Sequence, residues 1–116
     1  MLKQIICGVS AACLALSGVA ARATNSTMLT SWYGSYFHGR TTANGEIYNM
    51  YGHTAAHKTL PFGTVLRVCY NSCVDVRIND RGPYVGAREL DLSYGAAQAI
   101  GLTKPGVDYT TITYVR

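Results

Sequence analysis

Three carboxyl side chains occupy positions in this sequence from which they could do chemistry. Glu46, Asp80 and Asp91 lie in or directly after turn-forming segments, where a folded domain can present side chains to a groove between loops. Cleavage of a glycosidic bond needs a proton donor and stabilisation of positive charge, which a carboxyl pair usually supplies. These three residues are therefore the candidates for acid/base catalysis. The remaining acids after the N-terminal segment are expected to be solvated and structural: Asp75, Glu89 and Asp108.

Two of the three candidates also have a structural interpretation. An Asp in the Asn-Asp-Arg-Gly segment at residues 79–82 often accepts hydrogen bonds from backbone amides or pairs with the neighbouring Arg, and the residues alone favour this interpretation of Asp80. Asp91 precedes a predicted helix, so it either lines a groove or caps that helix, and capping is slightly favoured.

Aromatic and basic side chains could complete a sugar site. Trp32, Tyr33, Tyr36 and Phe37 form a run of rings that could stack on the apolar faces of sugars. Because alternate side chains of a strand point to opposite faces, half of these rings are expected in the core. Arg81 could hold a substrate carboxylate, or equally form a bridge to a neighbouring acid.

The elements that must position these residues are short and separated by Gly, Pro and Asn, as in an all-β domain with many turns. Apolar alternation and β-branched or aromatic residues predict four strands, at residues 28–34, 64–68, 74–78 and 109–115. Residues 79–83 should end the third of these in a tight turn. One short helix is predicted between Ser93, its cap, and Gly101, its terminator. The pattern indicates a small β-barrel with one helix.

The first residues have the order of a secretory signal. Lys3 is followed by an uncharged apolar stretch at residues 5–19 and by Ala21-Arg22-Ala23, which has the form of a cleavage site. We expect residues 1–23 to be a signal peptide and the protein to be exported to the periplasm or the extracellular cell-wall space, with no stable membrane insertion. Lipid anchoring at Cys7 or Cys13 is not expected, because neither follows a Leu-rich segment.

Cleavage after Ala23 would leave 93 residues, enough for one domain with one modest core. Loss of Lys3 and Arg22 leaves eight basic residues against six acidic ones, a net charge of about +2. This charge is too small to indicate a nucleic-acid partner. We expect a monomer.

Two cysteines remain after the signal, Cys69 and Cys73, and in an oxidising compartment we expect them to form a disulfide across the neck of a hairpin. Two thiolates without a nearby Cys or His make an incomplete zinc set, so neither a metal nor another cofactor is expected.

Five segments of the chain, in order, resemble the rare lipoprotein A family. The matching strings cover nearly the whole mature chain: Ser31-Trp32-Tyr33-Gly34, Phe37-His38-Gly39-Arg40-Thr41-Thr42-Ala43-Asn44-Gly45-Glu46, Thr54-Ala55-Ala56-His57-Lys58-Thr59-Leu60-Pro61-Phe62-Gly63-Thr64, Val76-Arg77-Ile78-Asn79-Asp80-Arg81-Gly82-Pro83 and Leu90-Asp91-Leu92-Ser93.

This resemblance implies a six-stranded double-psi β-barrel with one or two short helices, spanning residues 24–116. It also implies an endolytic lytic transglycosylase that cleaves peptidoglycan glycan strands lacking stem peptides and releases a 1,6-anhydro-muramic acid product. The family's acid falls on Glu46, its histidine on His57 and its second acid on Asp80. With the resemblance, Asp80 becomes the favoured acid/base, beside His57 and Glu46, and the choice of proton donor between the two acids stays open. Trp32, Tyr33, Phe37, Arg81 and Asp91 are the expected substrate-binding residues.

Two departures from the family pattern keep an alternative open. Active relatives often carry an Asp three positions after the Gly-Glu pair, where this chain has Asn49. We also expect no glycan-binding repeat domain for septal targeting after the barrel. The alternative is a non-catalytic, expansin-like module that binds cell-wall glycan. A secreted effector or protease-inhibitor barrel would instead tolerate changes at all three family positions.

Overall fold

Short apolar runs separated by turns form six β-strands in residues 25–116, the part of the chain that the computed structural model describes. The strands are β1 Ser26–Tyr33, β2 Thr54–His57, β3 Val65–Cys69, β4 Cys73–Asp80, β5 Leu90–Ser93 and β6 Asp108–Tyr114. One α-helix, α1 Tyr94–Ile100, follows β5, and a short 3-10 helix, Ser35–Phe37, follows β1. The predicted signal peptide, residues 1–23, lies outside the described residues.

The strands close into a barrel in the order β1-β5-β2-β4-β3-β6. The pairs β1/β5 and β2/β4 are parallel, and the other pairs are antiparallel. Parallel neighbours cannot be joined by a tight hairpin, and here β3 lies in the chain between β2 and β4, while β2, β3 and β4 lie between β1 and β5. This closed, mixed barrel has the architecture that the resemblance implied.

The barrel interior is filled by aliphatic side chains that alternate along the strands. In β4 these are Val74, Val76 and Ile78, and in β5 they are Leu90 and Leu92. Helix α1 covers one end of the core with three buried side chains, Ala96, Ala97 and Ile100. The opposite face of the strands is left for polar side chains, and the candidate site lies there.

The predicted strand boundaries agree with the structure to within about two residues, but two strands were not predicted from the pattern. β2 and β5 have only four residues each. The helix cap is confirmed, because the Ser93 side chain accepts a hydrogen bond from the Ala96 amide and Gly101 ends the helix in the left-handed conformation. The slightly favoured interpretation of Asp91 as the cap is wrong.

Asp80 ends a strand instead of lying in the predicted turn, and a β-bulge decides which way it points. In the parallel β2/β4 pair, Ala55 is opposite Ile78 but Ala56 is opposite Asp80, so Asn79 is the extra residue. Regular alternation would turn Asp80 to the same side as Ile78, into the core. The bulge instead places Asp80 on the outer face beside Ala56.

The predicted disulfide is confirmed. Cys69 and Cys73 are directly opposite each other in the β3/β4 pair and are bonded. The bridge closes the end of the β3/β4 hairpin, and neither cysteine lines a cavity with the candidate acids. Its role is structural.

Gly95 provides a test of how tightly α1 packs. A Cβ at this position would lie 2.6 Å from the carbonyl oxygen of Tyr51 and 2.9 Å from that of Gly52. Replacing Gly by Ala within a helix ordinarily stabilises it. Here we expect Gly95→Ala to lower the free energy of unfolding by about 1–3 kcal/mol, because backbone must shift. Urea denaturation measures the effect, with Gln98→Ala on the exposed side of the same helix as the near-neutral control. A stability equal to that of the wild type would contradict this packing.

Candidate active site

The pairing of four neighbouring strands brings two carboxyl groups to one row of the barrel surface. Ser31 of β1 is opposite Asp91 of β5, Asp91 is opposite Ala56 of β2, and Ala56 is opposite Asp80 of β4. Because adjacent strands lie about 4.8 Å apart, the Cα atoms of Asp80 and Asp91 are separated by about 10 Å across Ala56. The small Ala56 side chain forms a floor between them.

A cavity of about 110 Å³ opens above this floor. Its lining combines both acids with two aromatic rings and one cation: Tyr33, Phe37, Ala56, Asp80, Arg81 and Asp91. A larger cavity of about 240 Å³ lies where β2 ends and β5 begins. It is lined by His57, Lys58, Thr59 and Glu89. Since the smaller cavity holds the carboxyl pair, it is the candidate catalytic centre.

Asp91 is the acid best suited to carry a proton. Burial raises its pKa to about 6, and the nearby charge of Asp80 acts in the same direction. The Ser31 hydroxyl, which donates to Asp91 Oδ1 over 2.9 Å, and the charge of Arg88 lower the pKa by less. A carboxyl group with this pKa exchanges its proton near neutral pH, which is what general acid/base catalysis requires.

Asp80 is held by the backbone around it. Its Oδ1 accepts hydrogen bonds from the amides of Ala43 and Arg81, each over 2.9 Å. The prediction that Asp80 accepts hydrogen bonds from backbone amides is confirmed for Oδ1. Oδ2 has no hydrogen-bond partner among residues 25–116. Ion pairing with Arg81 is not found in that range. Asp80 is thus fixed in place with one oxygen left for the cavity.

Tyr33 adds a hydroxyl beside the two acids. Its Oη is buried and, within the described part of the chain, has no hydrogen-bond partner. Burial, followed by the negative charge of Asp80, raises the pKa of Tyr33 far above its ordinary value. The phenol therefore stays protonated and can donate to a ligand in the cavity or to the Asp80 carboxylate beside it.

Glu46 does not line this cavity, and its chemistry differs from that of Asp91. It accepts two hydrogen bonds from the Arg77 guanidinium, at 2.5 and 2.9 Å, and one each from the side chains of Asn44 and Asn79. These bonds, those from Arg77 foremost, lower the pKa of Glu46 to about 2. Glu46 is therefore ionised at neutral pH and unsuited to donate a proton.

The role of Glu46 is to fix the loop that holds Asp80. The Asn44 amide donates to the Asn79 carbonyl oxygen over 3.2 Å, and the preceding amide, that of Ala43, donates to Asp80. Glu46 thus connects the loop to the bulge of β4 through Asn44 and Asn79. It therefore affects Asp80 through these contacts and does not itself line the cavity.

His57 lines the larger cavity instead of the smaller one. Its Nδ1 accepts hydrogen bonds from the amides of Thr59 and Leu60, each over 3.1 Å, so this nitrogen carries the lone pair. Burial, with the charge of Lys58 adding to it, lowers the pKa of His57. The imidazole is neutral at pH 7 and presents its Nε2–H as a donor.

The expectation that half of the four rings lie in the core is wrong, because Tyr36 and Phe37 lie in the exposed 3-10 helix after β1, where strand alternation does not apply. Trp32 packs against the hydrophobic core, and its indole N–H donates to the Thr103 carbonyl oxygen over 3.3 Å. Tyr33 and Phe37 line the cavity, with their rings edge to face and 5.7 Å apart. The structure therefore places Trp32 outside the cavity and leaves stacking to Phe37, which is 45% exposed.

Three contributors to the site were not singled out from the sequence: Ser31, Arg77 and the hydroxyl of Tyr33. The alternation Val76-Arg77-Ile78 placed Arg77 on the outer face, but the partner of its charge depends on a loop 31 residues earlier in the chain. Ser31 contacts Asp91 only because two strands 60 residues apart are parallel neighbours. No local signal could have shown either contact.

Residues 25–116 contain no cluster of three or more His, Cys, Asp or Glu side chains able to hold a metal ion. In the same range no helix is long and apolar enough to cross a membrane.

A family model described as lytic transglycolase matches residues 25–112. The chain belongs to this family. Similar proteins include the endolytic peptidoglycan transglycosylase RlpA of Helicobacter pylori, 57% identical over 81 residues, which are 67% of this chain and 26% of that one. RlpA of Pseudomonas aeruginosa is 49% identical over 89 residues, 74% of this chain and 26% of that protein. The resemblance to the rare lipoprotein A family is thereby confirmed. This chain spans about a quarter of the length of these relatives.

Solved structures show the same fold at low identity. Streptomyces papain inhibitor superposes with a TM-score of 0.64 and 22% identity, covering 80% of this chain and 96% of that one. The apo expansin of Clavibacter michiganensis gives a TM-score of 0.65 and 22% identity, covering 80% of this chain and 51% of the expansin. The predicted double-psi β-barrel is confirmed.

Variants of His57 test whether its Nδ1 is an acceptor. In His57→Ala two amides lose their acceptor, and we expect the free energy of unfolding to fall by about 1 kcal/mol. Asn can place an oxygen near the Nδ1 position, so His57→Asn should retain most of the stability, whereas His57→Gln should resemble Ala. Urea denaturation ranks the three variants. Equal stability of all three would show that these hydrogen bonds do not hold the turn.

Asp91→Asn tests the raised pKa of Asp91 without any substrate. Because the folded pKa lies above the unfolded one, folding favours the protonated acid, and ionisation costs stability as the pH rises through 6. Asn cannot ionise and can still accept from Ser31. We expect Asp91→Asn to be more stable than the wild type by on the order of 1–2 kcal/mol at about pH 8, and the difference to vanish below about pH 3, where the acid is protonated in both the folded and the unfolded chain. A difference independent of pH, measured by urea denaturation, would refute the assignment.

Proposed function

We propose that this protein is an endolytic peptidoglycan lytic transglycosylase that cleaves glycan strands lacking stem peptides. The observation that carries the proposal is the pair formed by Asp91, with its pKa raised to about 6, and Asp80 on the other side of Ala56. The names of the family and of its relatives agree with this chemistry.

In the proposed reaction Asp91 is first an acid and then a base. It gives its proton to the oxygen that leaves C1 of a muramic acid residue as the glycosidic bond breaks. The C6 hydroxyl of the same sugar forms a bond to C1, and its proton passes to the Asp91 carboxylate, which restores the starting state. Water is not consumed, and the products are a free chain end and a 1,6-anhydro-muramic acid end.

Asp80 supports the positive charge that develops at C1. A carboxylate held by two backbone amides cannot swing away, so its remaining oxygen stays directed to the sugar. The sequence favoured Asp80 as the acid, but the burial of Asp91 makes that residue the better donor. Glu46 holds the loop, and the Nε2–H of His57 binds the strand in the neighbouring cavity.

The remaining parts of the proposal concern where the protein acts. We infer that residues 1–23 direct export and that residues 24–116 act on the cell wall in the periplasm or the extracellular space. The rings of Tyr33 and Phe37 form one wall of the cavity and suit the apolar face of a sugar. Peptidoglycan strands are the proposed partner.

The experiment is incubation of the protein with amidase-treated glycan strands, followed by mass spectrometry for 1,6-anhydro-muramic ends. We expect Asp91→Asn to lower kcat/KM by about 10²–10⁴-fold, and the kcat/KM of the wild type to fall as the pH rises above about 6, where Asp91 loses its proton. Asp75→Asn, an exposed acid paired with Arg67, is the matched control and should cleave normally. Binding of strands without anhydro products would contradict the enzyme and support the non-catalytic glycan-binding module.

A further inference from the structure

We propose that Arg81 recognises the free lactyl carboxylate of muramic acid and so selects strands from which the stem peptide has been removed. This inference rests on the proposed function for its substrate class. It assigns the selection of stripped strands to one side chain at the edge of the carboxyl pair.

The Arg81 guanidinium is held rigidly at the cavity wall. Its Nη1 donates to the carbonyl oxygens of His57 and Leu60, over 3.2 and 2.9 Å. The Cζ atom of Arg81 lies 3.9 Å from the centre of the Phe62 ring, so the guanidinium is also held by a cation–π contact. An arginine fixed in this way loses little conformational freedom when a ligand binds.

The charge of Arg81 has no counter-charge within residues 25–116. The ion pairs found there are Arg67–Asp75 and Arg77–Glu46, and Arg81 takes part in neither. The hydrogen-bond partners of Arg81 are neutral carbonyl oxygens, all bound to Nη1, while Nε and Nη2 have no partner in the described range. The alternative that Arg81 bridges to a neighbouring acid is therefore not what the structure shows. Two adjacent donors on a planar cation match the two oxygens of a carboxylate.

The rest of the cavity restricts where an anion could bind. Asp80 and Asp91 line the same space and would repel a negative group placed over the floor. Arg81 is the one cation among the residues that line this cavity, so a carboxylate is favoured on its side. A stripped muramic acid carries one on its lactyl group, whereas in a peptide-bearing residue the same carbon is a neutral amide with a bulky extension. Arg81 thus distinguishes the two by charge, which a wall of neutral side chains could not do.

The test is direct binding, which does not depend on cleavage. We would measure by calorimetry the affinity of the protein for a stripped glycan oligosaccharide and for the same oligosaccharide with its lactyl carboxylates converted to methyl amides. The wild type should bind the carboxylate form about tenfold or more tightly. Arg81→Gln should bind both forms equally, Arg81→Lys should regain part of the preference, and Arg67→Gln, which removes an exposed arginine elsewhere, should keep it.

Equal binding of the two forms by the wild type, or an unchanged preference in Arg81→Gln, would overturn the proposal. If Arg81→Gln does not fold, the salt dependence of binding by the wild type decides the question, because a charge-based preference must shrink at high salt and a shape-based one must not. A preference that follows Arg81 in a protein that never yields anhydro products would sink the enzymatic proposal and leave this one standing.

Discussion

The candidate site depends on one irregularity in the pairing of β2 with β4. The inward side chains of β4 alternate through Val76 and Ile78, and without interruption the next would be Asp80, buried in an apolar barrel. A carboxylate there would be costly enough to threaten the fold. The bulge at Asn79 turns Asp80 outward, and only then do the two acids share the floor above Ala56.

The bulge is itself held by polar contacts that lie away from the cavity. The Asn79 side chain is buried and donates to Glu46, and its carbonyl oxygen accepts from Asn44. Glu46 is kept ionised by Arg77, so a permanent charge stabilises this arrangement. Asp91, at the cavity, differs from Glu46: it is largely buried, has no ion pair within residues 25–116, and holds its proton more strongly. Environment, more than residue type, divides the roles among these carboxyl groups.

The sequence predicted the longer strands, the helix and most of the residues that line the cavity. It did not predict the contacts that set the pKa values of the acids. β4, β6 and the helix capped by Ser93 have strong local signals, whereas β2 and β5 are four-residue segments that become strands only through pairing with their neighbours. Asp80 was chosen from the sequence and lines the cavity, but its direction depends on a bulge that no local pattern shows. Asp91 was assigned to the helix start because Ser31, its partner across 60 residues, could not be known from the sequence.

The most direct test of the central claim is the titration of the aspartate side chains, followed by the carboxyl ¹³C shifts in NMR spectra of the labelled protein. Burial next to Asp80 predicts that Asp91 titrates with a midpoint near pH 6. The resonance can be assigned by its absence from the Asp91→Asn spectrum. A midpoint near the ordinary aspartate value of about 4 would mean that Asp91 is not the proton carrier. It would contradict the different roles assigned to Asp91, Asp80 and Glu46.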